Sequence, residues 1–334
     1  MKSQRTFGLA LLAGAWAATL SACGGEERPA RGEGGEAAEP APWSIERAEV
    51  LFTGRRGGSS DLYVLHRATG DTVRLTRFGE RGRGANAPAL SPDGRRVAFQ
   101  VRRESDFEIH VGELNGETSI DVTDHPEWDV NPVWDPGGTR LGFMSTRGFE
   151  LGGIGPFPGH VYVLDLTDGS LRQVTREPLT SSLGPSDWSA DGSSMLVARA
   201  SGDGDIDVFL LDVETGAEAR LTDGPASEYS AVFSHDGERI AYHAELGGES
   251  QIVVARRDGG EPRAVTSGPG LRYVPQWSPD DAWILFTASE DGEQYDLRAV
   301  RVEDGVVVDI VATPEDDREG VWIDVGSGPP VHVP

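Results

Sequence analysis

Asp124-His125-Pro126-Glu127-Trp128-Asp129-Val130-Asn131-Pro132-Val133-Trp134-Asp135-Pro136-Gly137-Gly138 decides how the rest of this chain is read. A polar loop leads into a short apolar strand, which ends in a large aromatic residue and a tight turn. The second half of the stretch returns as Leu90-Ser91-Pro92-Asp93-Gly94, Trp188-Ser189-Ala190-Asp191-Gly192, Phe233-Ser234-His235-Asp236-Gly237 and Trp277-Ser278-Pro279-Asp280-Asp281. The copies are 44, 54, 45 and 44 residues apart, a period that marks a repeat architecture.

Each copy opens the same grammar. After the turn comes a β-rich run such as Arg96-Val97-Ala98-Phe99-Gln100 or Trp283-Ile284-Leu285-Phe286-Thr287, then a polar loop, then an alternating strand such as Asp207-Val208-Phe209-Leu210-Leu211. A second turn follows, at Thr69-Gly70, Asn115-Gly116, Asp168-Gly169, Thr215-Gly216, Asp258-Gly259 and Asp304-Gly305. A last strand closes on Thr76, Thr123, Thr175, Thr222, Thr266 or Thr313, so the sequence predicts six repeats. Short runs bounded by Asp-Gly and Asn-Gly turns are antiparallel hairpins, and no stretch carries a helical apolar period of useful length. Four short strands per repeat make one propeller blade. The recurring Trp or Phe is the natural filler between neighbouring sheets, since one blade alone cannot cover both of its faces. A β-sandwich gives no reason for turns to repeat in phase. The predicted fold is therefore all-β, a six-bladed β-propeller of four-stranded antiparallel blades over residues 43–325.

The pattern apolar-Ser-Pro-Asp-Gly, Val/Ile-Ala-Phe, Asp/Glu-Ile/Leu-Tyr-Val, Asp-Gly, Leu/Val-Thr resembles the WD40-like repeat of TolB-type β-propellers, and the stretch from His125 to Gly138 is similar to the segment between blades in that family. The resemblance runs from Trp43 to Val325. It departs from the family at Asp135-Pro136-Gly137-Gly138, at Asp281 where a turn glycine is expected, and at Trp43-Ser44-Ile45-Glu46. TolB carries an α/β domain before its propeller. Here residues 23–42 read as a flexible tether too short for one, rich in Gly, Glu, Ala and Pro with no apolar period. Two stretches compete to complete blade one, the segment beginning at Trp43 and Val321-Trp322-Ile323-Asp324-Val325, and the C-terminal one is the expected clasp. Residues 326–334 form a tail.

Lys2 and Arg5, the apolar run from Phe7 to Leu20 and Leu20-Ser21-Ala22-Cys23 read as an export signal over residues 1–22. This segment resembles the lipobox of bacterial lipoproteins, which implies cleavage before Cys23 and lipid on its thiol. Gly24 after it implies sorting to the outer membrane, with the propeller facing the periplasm. Cys23 is the only cysteine, so the chain forms no internal disulfide. The formal net charge of −25 argues against nucleic acid as a partner, because a phosphate backbone needs clustered Lys and Arg.

Long loops on a rigid scaffold are where binding concentrates. The extra length lies in Gly148–Gly159, in Arg176–Pro185, and in Arg77–Pro88 with Arg77, Arg81 and Arg83, all expected at one end of the ring. The apolar Phe149, Leu151, Ile154 and Phe157 suggest partner contact or self-packing over the channel mouth. Residues just ahead of the inner strands are expected at the channel or its rim: Asn86, Asp129, Asn131, Asp187, Glu228, Tyr229, Arg272, Tyr273, Arg318 and Glu319. Their mixture of charge and aromatic rings suits a polar ligand or a peptide end, and equally a solvated channel lining. No nucleophile elbow, zinc-protease motif or P-loop is present. The seven histidines show no ligand spacing. Asp203, Asp205, Asp207 and Glu214 imitate a calcium loop, but Val208 stands where its glycine belongs. The expectation is a monomeric, non-catalytic, lipid-anchored envelope module without cofactor or metal that binds a protein partner. The alternatives are a channel-centred enzyme such as a polysaccharide lyase or lactone hydrolase, and a module for a glycan or peptide ligand.

Overall fold

Asp-Gly turns fold the chain back on itself at the expected places, because glycine carries the left-handed backbone such turns need. Gly94, Gly138, Gly192 and Gly237 have φ between 64° and 72°. The computed structural model describes residues 43–104, 106–115, 118–149, 157–179, 184–201 and 204–324. Blade one holds β1 (Glu49–Arg56), β2 (Ser59–His66) and β3 (Asp71–Arg74). Blade two is β4 (Gly84–Leu90), β5 (Arg96–Arg102), β6 (Phe107–Glu113) and β7 (Ser119–Asp121). Blade three is β8 (Asp129–Trp134), β9 (Arg140–Ser145), β10 (His160–Asp165) and β11 (Leu171–Gln173). Blade four is β12 (Pro185–Trp188), β13 (Ser194–Ala200), β14 (Ile206–Asp212) and β15 (Glu218–Arg220). Blade five is β16 (Ser227–Phe233), β17 (Arg239–Leu246), β18 (Glu249–Arg256) and β19 (Arg263–Ala264). Blade six is β20 (Leu271–Trp277), β21 (Trp283–Ser289), β22 (Asp296–Arg301) and β23 (Val307–Val311). The last strand, β24 (Asp317–Ile323), pairs antiparallel with β1 and completes blade one, so the expected C-terminal clasp is the one observed. Trp43 joins no strand and instead meets the Trp322 ring edge-on at 5.4 Å. The inner strands touch in cyclic order and close the ring. Among the described residues the only helix is a single 3-10 turn, Gly79–Arg81.

Six apolar clusters, one per blade junction, form the core. The aromatic residue ending an inner strand sits between sheets. Trp134, Trp188 and Trp277 each donate Nε1–H to the preceding blade's inner strand, at Ala89 O (3.0 Å), Val133 O (3.3 Å) and Val232 O (3.3 Å). Arg96, Arg140 and Arg239 of those preceding blades lie over the three indoles at 4.6–5.0 Å.

The repeated small residues have equally local reasons. Ser91, Ser189, Ser234 and Ser278 donate to Asp93, Asp191, Asp236 and Asp280 two residues on, which locks the first turn. In blade three Asp135 does the same work by accepting the N–H groups of Thr139 and Arg140. Asp281 takes up the turn glycine's left-handed backbone (φ 54°). Its carboxylate accepts the N–H groups of His235 and Asp236 at 2.9 Å each, tying the first turn of blade six to that of blade five. Five closing threonines accept an N–H from the third strand: Thr76 from Leu62, Thr123 from Ile109, Thr175 from Val161, Thr222 from Val208 and Thr266 from Ile252, all at 2.9–3.0 Å. Each fastens the chain leaving the outer strand at a net gain of about 1 kcal/mol.

Candidate functional site

The ring has two ends. Tight turns crowd one. The loops between second and third strands, together with the connections from blade to blade, crowd the other. Between them runs a channel whose waist is made by an irregularity common to the inner strands. Ala87, Asn131, Ser230, Val274 and Glu319 all have φ between 49° and 55°, and the ladder slips at each of them. In blade four the left-handed residue comes one position earlier, at Gly184 (φ 58°), and the ladder slips just after it, between Pro185 and Asp187. These are β-bulges, which turn a strand and leave an amide outside the ladder. Side chains take up three of those amides. Gln100 Oε1 accepts from Asn131 (3.0 Å), Thr287 Oγ1 from Glu319 (3.0 Å), and the Glu319 carboxylate from Ala87 (2.7 Å) and from the Thr53 hydroxyl (2.8 Å). Thr53, Gln100 and Thr287 occupy one equivalent place, directly after the buried Phe52, Phe99 and Phe286. The waist is a cavity of about 160 Å³, below the ~300–1,000 Å³ of ordinary small-molecule sites.

The residues expected together at the rim are dispersed. Asp129 is fully buried, and Arg147 Nη2 donates to its Oδ2 at 2.6 Å. Burial pushes its carboxyl upward, opposed by Ser145 and Arg147. Asp129 is thus a structural anion and presents nothing to a ligand. Arg272 is likewise buried and spends Nη1 on the carbonyls of Gly268 and Pro269. Glu228 is buried, accepts from Thr222 Oγ1 at 3.0 Å, and is pushed up to about 7 by burial and the nearby Asp207. Asn86, half-buried, pairs with Gln100 across the β4–β5 ladder. Asn131 and Glu319 line the waist. Asp187 belongs to the opposite mouth, a cavity of about 370 Å³ also lined by His235, Gln276 and Trp277. There it accepts the N–H groups of Trp188 and Phe233 at 2.8 Å, and its depth in the channel pushes it up to about 6. Asp187 stands one residue before Trp188, the register of Val232 and Gln276 at that mouth, whereas Asp129 stands five residues before Trp134.

Tyr229, Tyr273 and Arg318 do come together, through a residue the sequence did not single out for a site. His243 is buried, stacks on Tyr229 (5.1 Å, 21°) and leans on Tyr273 at 6.2 Å. Burial alone lowers it to about 3, so it is neutral. Tyr273 meets Tyr295 edge-on at 5.8 Å, and the Arg318 guanidinium covers the Tyr295 ring at 3.5 Å. His125 caps its own loop: its N–H donates to Glu108 Oε1 at 2.9 Å, and its Nδ1 sits 2.8 Å from Glu127. Burial pushes Glu108 up to about 7.

The long-loop end also carries an aromatic cluster. Phe157 meets Trp128 at 4.6 Å, and Trp128 meets Phe107 at 5.2 Å, with all three rings half-buried. Three separate segments supply them: the loop of blade three, the connection into blade three, and the start of β6. Phe149 packs on His160 at 5.5 Å. Leu151 and Ile154 lie outside the described residues, as do Cys23, the export signal, the tether and Asp203 of the calcium-loop imitation. Asp207 is buried 2.8 Å from Arg220, and Val208 lies within β14. Among the described residues no three His, Cys, Asp or Glu side chains are placed to share a metal ion. No described helix is long and apolar enough to cross a membrane.

A closed ring of six four-stranded blades with bulged inner strands defines a β-propeller of the kind the repeat implied. The TolB beta propeller domain family matches residues 41–177 and 158–319, and the chain belongs to that family. It is 26% identical over 208 residues to an uncharacterized peptidase, YuxL, of Bacillus subtilis, a match covering 60% of this chain and 29% of that protein. It is 27% identical over 202 residues to the protein TolB homolog of Chlorobium chlorochromatii, covering 60% of this chain and 41% of the homolog. In each case the match spans less than half of the relative. The crystal structure of TolB from Acinetobacter baumannii has the same fold, with a TM-score of 0.71 at 16% identity over 84% of this chain and 67% of that one.

Proposed function

We propose that this propeller is a non-catalytic module of the bacterial envelope that binds a protein partner through its long-loop end. Lipid on Cys23 would hold it to the outer membrane, facing the periplasm. The observation carrying this reading is the Phe107–Trp128–Phe157 cluster. Half-buried aromatic rings gathered from three loops on a rigid frame are the usual centre of a protein interface. The buried Asp129, Glu228 and Arg272 are engaged internally, which leaves the rings as this end's principal apolar feature. The test is photocrosslinking in intact cells from a probe at position 149, comparing wild type with Trp128→Ala. A specific partner band that weakens at least several-fold while the melting temperature holds supports the reading. An unchanged band sinks it.

The enzymatic alternative has one observation in its favour, the Asp187 mouth with its raised carboxyl and neighbouring His235. The similarity to a peptidase adds nothing there, since it covers 29% of that protein. Under the binding reading Asp187→Asn leaves partner capture unchanged.

A further inference from the structure

The charge of this chain is unevenly placed. Between Trp43 and Arg103 there are twelve arginines and six acidic residues. From Glu104 onward there are fourteen arginines and 44 acidic residues. A chain of net charge −25 thus holds one locally positive stretch, from β1 to the end of β5; the acids of β6 and β7 follow it in blade two. Much of that excess is at the long-loop end. Arg77, Arg81 and Arg83 lie in the connection from β3 to β4, which the 3-10 turn and the bond from Arg83 N–H to Phe78 O fold into a compact knot. Gly84, next to Arg83, pairs with Arg102 at the end of β5. All four arginines are exposed. Among the described residues Arg81, Arg83 and Arg102 have no ion pair, and Arg77 has only a 3.8 Å approach to Glu80. Glu80 is itself taken at 2.8 Å by Arg74, and Glu104, two residues after Arg102, is an exposed acid with no ion pair among the described residues.

This stretch touches the aromatic cluster. Arg102 is the cross-strand partner of Phe107, whose ring packs on Trp128. Directly opposed residues share one face of a sheet with their Cβ atoms about 5 Å apart. The order across this end is therefore Arg83, Arg102, Phe107, Trp128, Phe157: a cationic rim running into an apolar patch.

We infer that the partner engages this end with an acidic segment, its carboxylates over Arg81, Arg83 and Arg102 and an adjoining apolar side chain over Trp128 and Phe107. This rests on the long-loop reading above and adds to it the partner's chemistry and orientation. Arginine suits carboxylates because its planar fork takes both oxygens at once. The net charge of −25 disfavours an acidic chain over most of the protein, so the arginines set its register as well as its speed of association.

The test is fluorescence anisotropy with the full-length protein and two labelled 16-residue peptides, one alternating Glu with Phe and Leu, the other with every Glu replaced by Gln. The acidic peptide is expected to bind about tenfold tighter or better at 50 mM salt, with the advantage largely gone at 500 mM as screening sets in. Arg81→Glu/Arg83→Glu/Arg102→Glu, all at exposed positions, removes the preference while the melting temperature holds. Trp128→Ala weakens both peptides. Equal binding of the two peptides, no binding of the acidic one, or a preference kept in the triple variant overturns the inference. So does capture of phosphatidylglycerol vesicles in place of peptide, or self-association that the triple variant abolishes. Sensitivity to Trp128→Ala without sensitivity to the triple reversal overturns the charge assignment alone. Insensitivity to both overturns the long-loop reading with it.

Discussion

Arg147→Met is the substitution that bears most directly on how the long-loop end is held. Arg147 joins four groups: Asp129 Oδ2 at 2.6 Å, Ser145 Oγ at 2.7 Å, and the rings of Tyr162 and Phe143 at 4.9 and 5.9 Å. Asp129 is fully buried beside Trp128, so removing the guanidinium leaves a buried anion without its paired cation. Breaking a buried pair from one side costs about 3–5 kcal/mol, and losing a ring contact adds about 0.5–1 kcal/mol. Methionine keeps much of the stem's packing, so we expect a loss of about 4 kcal/mol. At ~2–4 °C per kcal/mol that is a fall in melting temperature of roughly 10 °C. Calorimetry and urea titration read it. The loss carries a pH signature. Burial already raises the Asp129 carboxyl, and without Arg147 it rises further, so the variant recovers stability as pH falls and the carboxyl takes up a proton. Asp129→Asn in the Arg147→Met background should restore part of the loss. A drop below about 1 kcal/mol, the same at pH 5 and pH 8, would refute the buried-charge account.

Two further outcomes follow from the same structure. Glu228 has a folded value of about 7 against 4.5 for an ordinary glutamate, so the native state holds its proton where the unfolded chain has released it. Stability should fall as pH rises from about 4.5 to 7 and level off above. Glu228→Gln should remove at most about 3 kcal/mol of that slope, and a steeper slope in the variant would contradict the assignment. Asp281→Gly keeps the left-handed turn but deletes the carboxylate bridging blades five and six, so it should cost about 1–2 kcal/mol, whereas Asp281→Asn should cost less; equal losses in denaturant titrations would argue against the bridge.

The blades were legible because their cause is local. A turn glycine, a serine two residues before an aspartate, and a threonine accepting a third-strand amide all act within a few residues or one hairpin, so they recur in phase with the fold. The bulges were not legible as a residue type, since alanine, asparagine, serine, valine and glutamate all occupy the left-handed position. A trace does exist: Pro88, Pro132, Pro185 and Pro275 follow four of the six, and proline inside a strand is confined to edges and bulges. The rim was hardest. Whether Asp129 meets a ligand or a cation depends on Arg147, eighteen residues away at the end of the next strand. Trp128 and Phe107 were hidden for a similar reason, since their contact joins two blades and no short motif spans that distance. Tyr229 and Tyr273 were placed at the channel end, while His243, which links them, stands out only by its register with Gln100 and Thr287.

The pairing of β24 with β1 also governs the order of assembly. Leu51 meets Val321 across 270 residues, whereas blades two to six are each made of neighbouring sequence. Delivered N-terminus first, β1 emerges before every other strand and must wait for its inner partner until the last one has followed. Through that interval the fully buried Val50, Leu51 and Phe52 belong to a strand with one edge unpaired, the kind of edge that recruits foreign strands. The emerging chain is therefore most exposed to misassembly at its first blade and least at its last. A holding chaperone would be needed longest at β1, and a circular permutant that makes β24 before β1 should lose most of that need.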